Sequence, residues 1–327
     1  MKVLFLVGPT ASGKSELGLR LCEELGAGSQ NDRTGAFTGE IFNCDSVQVY
    51  SDLNIGAAKP SSSDLQRAPH HLYSMIDSPD TLTAGEFARL YHAKLKERER
   101  DCSLAITVGG TGFYYQAIEK GMLEIPASDS KIRNEWEVLL KEKGSDYLWQ
   151  RLKAVDSDAA GKISKNDHYR LVRALEIFTA TGQSLSDWKK KHAENKPPFP
   201  YPLLKMGIDM DRKLLLKRVQ QRTEQMLKLG LIEEVESLLQ QGREEWPPLS
   251  SVGYYEVLQF LKGKISSKDH LQESIVVSTL QLAKKQRTWF QRDSEIHWLN
   301  PDETPPIDWI RNQLNHEQSS SSAKNVT

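Results

Sequence analysis

The chain has 327 residues with 43 Lys and Arg against 44 Asp and Glu, a net charge of −1, so any nucleic-acid contact has to come from local patches rather than an overall field. Its length predicts one large core with a smaller domain inserted or appended. Cys22, Cys44 and Cys102 lie far apart without paired spacing, which excludes a zinc knuckle, and neither a signal peptide nor an apolar run of membrane-spanning length is present; a cytoplasmic protein with reduced thiols and no membrane partner is expected.

The first element is the apolar run Val3-Leu4-Phe5-Leu6-Val7, a buried parallel strand by composition, and Glu16-Leu17-Gly18-Leu19-Arg20-Leu21 opens a helix expected over 14–25. Between them lies Gly8-Pro9-Thr10-Ala11-Ser12-Gly13-Lys14-Ser15, two glycines around four residues followed by Lys-Ser. A strand feeding such a loop into a helix leaves backbone N–H groups converging on one point, a cradle for phosphate oxygens. Lys14 adds a full charge and Ser15 a hydroxyl suited to Mg2+. Residues 26–35 read as a polar surface loop, and Glu40-Ile41-Phe42-Asn43-Cys44 as a second strand that delivers Asp45-Ser46 to the sheet edge where open parallel sheets bind ligands. His70 and His71 are adjacent and read as structural. Thr83-Ala84-Gly85-Glu86 is a capping box opening a helix to about 100. Leu104-Ala105-Ile106-Thr107-Val108 is another buried strand, ending in Gly109-Gly110-Thr111-Gly112 rather than in the aspartate that a nucleotide-hydrolysing P-loop enzyme uses for magnesium.

From 127 to 196 the periodicity is helical, charges are frequent and no strand is evident, which predicts an all-helical insertion; within it Arg170 and Arg173 share a helix face. Pro197 to Pro202 forms a stiff connector. Leu204 to Met210 is a strand, and the long helix after it carries Arg218 and Arg222 on one face. A helix starts near Val252-Gly253-Tyr254, another runs over 267–292, and the serine-rich end from Glu317 reads as disordered. The fold class is therefore α/β: a P-loop NTPase-like parallel sheet flanked by helices, split into core segments 1–126 and 197–316 around the insertion 127–196, with a tail at 317–327.

Several constellations have two readings. Asp45, at a strand tip beside the phosphate loop, is a candidate general base, or else a magnesium ligand or helix cap. Thr111 either hydrogen-bonds a substrate in room cleared by its glycines or sits in a plain tight turn. Arg218 and Arg222 form a second cationic shell around phosphate, or a solvated face. Lys284-Lys285-Gln286-Arg287-Thr288-Trp289-Phe290-Gln291-Arg292 mixes cations with aromatics as single-stranded RNA recognition does, or is a basic helix packing Trp289 and Phe290 into the core.

Taken together, the phosphate loop, Asp45-Ser46-Val47-Gln48-Val49-Tyr50, Gly56-Ala57-Ala58-Lys59-Pro60, Pro69-His70-His71-Leu72, Val108-Gly109-Gly110-Thr111-Gly112, Arg170-Leu171-Val172-Arg173-Ala174-Leu175-Glu176, Val252-Gly253-Tyr254 and the Lys284–Phe290 segment resemble the tRNA dimethylallyltransferase family, bacterial type, over nearly the whole chain to about 299. The resemblance implies transfer of a dimethylallyl group from dimethylallyl diphosphate to the N6 amine of the adenosine 3′-adjacent to the anticodon. The donor's diphosphate would lie on Gly8 to Ser15 with Arg218 and Mg2+, Thr10 would hydrogen-bond the leaving oxygen, Lys14 and Arg222 would stabilise the departing charge, and Asp45 would take the amine proton. Asp45, Ser46, Val47, Gln48, Thr111, Arg133, Tyr169, Arg170, Leu171, Val172, Arg173, Ser250, Ser251, Val252, Gly253, Tyr254, Tyr255, Gln281, Lys284, Lys285, Arg287 and Thr288 match the family's tRNA-contact positions. The expected partner is the anticodon stem-loop, the expected state a monomer. Two features depart from the pattern: the loop over 26–39 is longer than usual, and Tyr255 stands where Lys or Arg commonly follows Gly-Tyr. The alternatives are an isopentenyltransferase acting on free adenylate, a P-loop small-molecule kinase, and a non-catalytic nucleotide-dependent RNA-binding protein.

Overall fold

The computed structural model describes residues 1–26, 38–123, 125, 130–195, 197–300 and 307–321. Most of the long 26–39 loop, the first residues of the expected insertion and the last residues of the tail lie outside them. The described chain divides into two compact units, residues 1–119 with 199–327, and residues 120–198.

The larger unit begins with β1 (Lys2–Val7), α1 (Lys14–Gly26), β2 (Gly39–Asn43), α2 (Ser62–Arg67), β3 (His70–His71), α3 (Ala84–Arg98), β4 (Leu104–Val108) and α4 (Gly112–Lys120). The smaller unit consists of α5 (Ser130–Val155), α6 (Ser157–Lys162), α7 (His168–Thr181) and α8 (Leu185–Asn195). The larger one resumes with β5 (Leu203–Ile208), α9 (Arg212–Lys228), α10 (Leu231–Gln240), a 3-10 turn at Pro247–Ser250, α11 (Tyr254–Leu261), α12 (Lys268–Phe290), β6 (His297–Leu299) and α13 (Ile307–Ser321).

The six strands form one parallel sheet in the order β3-β2-β4-β1-β5-β6. Its inner strands β1 and β4 are buried at every position, which is why they read as continuous apolar runs rather than alternating ones. The crossovers that parallel pairing requires leave the carboxyl ends of β1, β2, β4 and β5 at one edge, where the loops after Val7, Asn43, Val108 and Ile208 lie. Leu4, Leu6, Ile41, Ile106 and Met206 pack with Leu21 and Leu25 of α1 in the core beneath it. Thr83 caps α3 through a box with Glu86, as its sequence pattern predicts. His71 pairs with Glu40 at 2.8 Å, and His70 bonds the Ala68 carbonyl, so both histidines have structural partners.

The last helix, α13, runs to Ser321, and its Ile310 and Leu314 are buried in the sheet core with Ile307 and Trp309 packed beside them, apolar side chains that recur at helical spacing.

In the smaller unit, Leu148 and Leu152 of α5 pack with Leu171, Val172, Ala174 and Leu175 of α7. Gly144, at φ +79°, breaks α5 into two segments. Asp167 caps α7 by accepting from the Arg170 amide at 3.2 Å.

Candidate active site

The phosphate loop is held from both sides. Gly8 and Gly13 adopt positive φ, and a Cβ at Gly13 would press on Nη1 of Arg218 at 3.1 Å. From α9, Arg218 donates to the Ser12 carbonyl at 3.1 Å and Arg222 to Thr10 Oγ1 at 3.4 Å, so the four-residue spacing brings both cations to the loop instead of to solvent. Lys14 is buried, its ammonium donating to the Pro9 carbonyl at 2.7 Å. Burial lowers its pKa to about 7, partly offset by the Asp45 carboxylate and reinforced by Arg222. Burial lowers the Arg222 pKa too, again against the pull of Asp45. Ser12 Oγ is buried with no hydrogen-bond partner among the described residues, an uncompensated donor within the phosphate loop. Ser15 is exposed at the start of α1.

Asp45 follows β2 and is fixed by its own loop. Its amide donates to Asn43 Oδ1 at 2.8 Å, and its Oδ1 accepts from the Val47 amide at 2.9 Å. Oδ2 has no hydrogen-bond partner among the described residues, in a region where Lys14 and Arg222 both feel the carboxylate's charge. Thr111 Oγ1 accepts from the Ser46 amide at 3.0 Å and donates to Ser46 Oγ at 3.2 Å, tying the β4 loop to the β2 loop.

The space that the glycines beside Thr111 leave is filled by protein. A Cβ at Gly109 would strike the Cys44 carbonyl, at Gly110 the Gln286 amide and at Gly112 the Trp289 ring. These glycines admit β2 and α12, which corrects the expectation that they clear space for a ligand. The aromatics of α12 differ: Phe290 is buried edge-on to Tyr115 at 5.7 Å, whereas Trp289 packs an edge on Gly112 and stays partly exposed. Gln281, Lys284, Lys285, Arg287 and Thr288 are exposed on the same helix, with Arg287 paired to Asp209 at 2.9 Å.

Other positions divide between surface and interior. Tyr169 is 63% exposed, with Arg133 over its ring at 5.3 Å. Arg170 and Arg173 pair with Asp167 and Glu176. Leu171 and Val172 are buried in the helical core because they lie on the apolar side of α7, so a direct side-chain contact with RNA is corrected for both. The same correction applies to Tyr254. It is fully buried, donating to Glu234 at 2.6 Å and accepting from the Ala57 amide at 3.0 Å, whereas Tyr255 next to it is exposed. Ser250 and Ser251 bond the carbonyls of Pro247 and Pro248, while Val252 is partly exposed and Gly253 is buried at φ +94°. The Gln48 amide donates to Ala57 and Ala58 carbonyls at 3.0 Å each.

Two further residues join these loops: Gln286, which the sequence placed only in the basic α12 segment, and Glu234, to which it gave no site role. Gln286 accepts from the Thr10 amide at 2.8 Å and donates to the Gly110 carbonyl at 3.0 Å. Glu234 accepts from the amides of Asn54, Ile55 and Gly56 at 3.1, 2.8 and 3.3 Å. Neither carries a local signal, since each acts on residues more than 170 positions away.

A phosphate cradle facing a fixed carboxylate, without an aspartate after β4, leaves several transfer chemistries open. A family model described as IPP transferase matches residues 48–293. The chain belongs to the IPP transferase family. Within that family it is 43% identical to a tRNA dimethylallyltransferase of Bdellovibrio bacteriovorus, over 91% of this chain and 92% of the relative. A tRNA dimethylallyltransferase of Geobacter metallireducens is 40% identical over the same shares. The crystal structure of the full-length tRNA isopentenylpyrophosphate transferase from Bacillus halodurans superposes with a TM-score of 0.69 at 27% identity, covering 98% of this chain and 99% of that one. This IPP transferase family member thus carries its phosphate loop and Asp45 just before the matched segment, and Arg218, Arg222 and Gln286 inside it.

Proposed function

We propose that this chain transfers a dimethylallyl group from dimethylallyl diphosphate to the N6 amine of the tRNA adenosine 3′-adjacent to the anticodon, acting in the cytoplasm as a monomer. The observation that carries the reading is the opposition of Asp45, oriented through Oδ1, to Lys14 and Arg222 across the phosphate loop. The exocyclic amine is a weak nucleophile because its lone pair is delocalised. As the new N–C bond forms, the allylic C–O bond breaks and diphosphate departs with the electron pair. Asp45 takes the proton that the nitrogen loses and releases it to solvent. Lys14, Arg222 and the loop amides stabilise charge growing on the leaving group, Thr10 Oγ1 hydrogen-bonds its bridging oxygen, and Ser12 Oγ finds the acceptor it lacks in the protein. To reach Asp45 the adenine has to leave the anticodon stack.

Among the described residues no group of three or more His, Cys, Asp or Glu could hold a metal. Magnesium is commonly held through substrate phosphates and few protein oxygens; Ser15 would hold it here, and it would neutralise diphosphate charge. No helix among the described residues is long and apolar enough to cross a membrane. The outward-facing Arg170, Tyr169, Lys284, Lys285, Arg287, Thr288 and Tyr255 are proposed to meet tRNA. The test is incubation with labelled dimethylallyl diphosphate, ATP and tRNA lacking the modification, followed by nucleoside analysis. Label on the adenosine next to the anticodon is the expected result; phosphate moving from ATP, or label moving to free adenylate only, would refute it.

A further inference from the structure

Gln286 lies on the inner side of α12, between exposed Lys285 and Arg287, and its amide group is used at both ends. Oε1 accepts from the Thr10 amide at 2.8 Å, and Nε2 donates to the Gly110 carbonyl at 3.0 Å. These partners belong to different halves of the site. Thr10 carries the hydroxyl that Arg222 reaches at 3.4 Å. Gly110 precedes Thr111, whose hydroxyl holds the Ser46 amide beside Asp45 at 3.0 Å. Gly110 has no side chain where Gln286 crosses, and a Cβ there would strike Nε2. One planar amide therefore hydrogen-bonds both strand-edge loops.

Building on the function proposed above, we infer that Gln286 is a positioning residue that fixes the separation between the diphosphate half of the site, at Thr10, and the proton-accepting half, at Ser46 and Asp45. Both of its polar atoms are taken by protein partners, the Thr10 amide and the Gly110 carbonyl. Its contribution is geometric: two groups acting on one bond-forming event have to hold a near-attack spacing, and a displacement of about 1 Å costs on the order of 100-fold in rate. A side-chain amide is suited to this because it offers an acceptor and a donor in one plane, matching one N–H and one C=O. A residue that bound tRNA from the surface would do the opposite, changing affinity and leaving the rate at saturation alone.

The experiment compares wild type, Gln286→Ala and Gln286→Met, the methionine keeping the volume and removing both polar atoms, so that it carries the test if the alanine variant fails to fold. Turnover at saturating tRNA and dimethylallyl diphosphate should fall roughly 10- to 100-fold, while the dissociation constants of tRNA and of inorganic pyrophosphate stay within about threefold. Hydrogen exchange at the loop amides of residues 8–15, read without any substrate, should quicken because the Thr10 amide loses its acceptor. Gly110→Ala should lower turnover in wild type by pushing Gln286 aside, yet cost nothing further in the Gln286→Ala background. A rise in the tRNA dissociation constant with turnover at saturation unchanged, unaltered loop exchange, or additive losses in the Gly110 and Gln286 pair would overturn the inference. A wild type that moves no label from dimethylallyl diphosphate fails the proposed function instead, and the exchange measurement still decides whether Gln286 holds the loop.

Discussion

The proton on Lys14 can be used to probe how the loop binds diphosphate. Burial lowers its pKa from 10.5 to about 7, and only Asp45 opposes the shift appreciably. A diphosphate on the loop brings negative charge to the ammonium and favours its protonated form. Binding above about pH 7 then requires uptake of a proton, so affinity is greatest below that value and falls by up to about tenfold, or about 1.4 kcal/mol, per pH unit above it. From about pH 7 to pH 9 the loss reaches roughly 100-fold. Pyrophosphate titrates in part of this range itself, and Lys14→Arg separates the two contributions because a guanidinium stays charged throughout. Isothermal titration with magnesium pyrophosphate from about pH 6 to pH 9 should give a steeper decline for wild type than for the arginine variant. Parallel curves would refute the assignment of a lowered lysine to the diphosphate contact. Stability carries the same proton with a definite sign. Between about 7 and 10.5 the unfolded chain binds more protons than the folded one, so stability rises with pH across that window and is lowest below it. Lys14→Met should therefore melt higher than wild type near neutral pH while losing pyrophosphate binding.

Asp45→Asn should keep its affinity for dimethylallyl diphosphate and lose roughly 10²- to 10⁴-fold in turnover, and single-turnover rates close to wild type would remove it from the base role. Replacing Lys284 and Arg287 together by Gln should weaken tRNA binding at low salt and flatten the log–log salt slope by up to about one per lost contact. Superimposable isotherms at several salt concentrations would exclude this face of α12 from the RNA surface. Glu234→Ala leaves three backbone amides and the Tyr254 hydroxyl without their acceptor, and should lower stability by about 2 kcal/mol in urea unfolding. An unchanged midpoint would show that water serves those groups equally well.

What the sequence made legible was local. The phosphate loop declares itself because strand, glycine turn and helix start are contiguous, and Asp45 follows because a strand tip fixes which edge it occupies. Arg218 and Arg222 could be paired through helical spacing, though only the fold shows that their shared face meets the loop. What stayed hidden rests on contacts between distant segments. The glycines around Thr111 looked like room for a substrate because sequence does not reveal that Gln286, Trp289 and Cys44 fill it. Blocks of consecutive contact residues concealed the opposite error: on a helix they cannot all face outward, and the apolar pair Leu171 and Val172 between two arginines was the available sign that α7 buries its middle.

Two motifs that the sequence brought together without a mechanism, Gly56-Ala57-Ala58-Lys59-Pro60 and Val252-Gly253-Tyr254, turn out to be halves of one joint. The Tyr254 ring occupies the place where a side chain on Gly56 would project, approaching a Cβ there to 2.6 Å. Its hydroxyl receives the Ala57 amide and donates to Glu234, whose carboxylate also gathers the three amides before it. On the other side, the Gln48 amide holds the carbonyls of Ala57 and Ala58, and Lys59 bonds the carbonyls of Tyr50 and Ser51 at 2.6 and 3.1 Å. The segment after Asp45 is thus fastened to α10 and α11 at 54–57 and braced on itself at 48 and 59. A carboxylate at a bare strand tip would sample several rotamers; one whose following loop is pinned at 48, 54–57 and 59 has its Asx turn to Val47 held in place. The buried Tyr254 and its partner Glu234, far from the phosphate loop in sequence, therefore act on the orientation of the one group that has to face it.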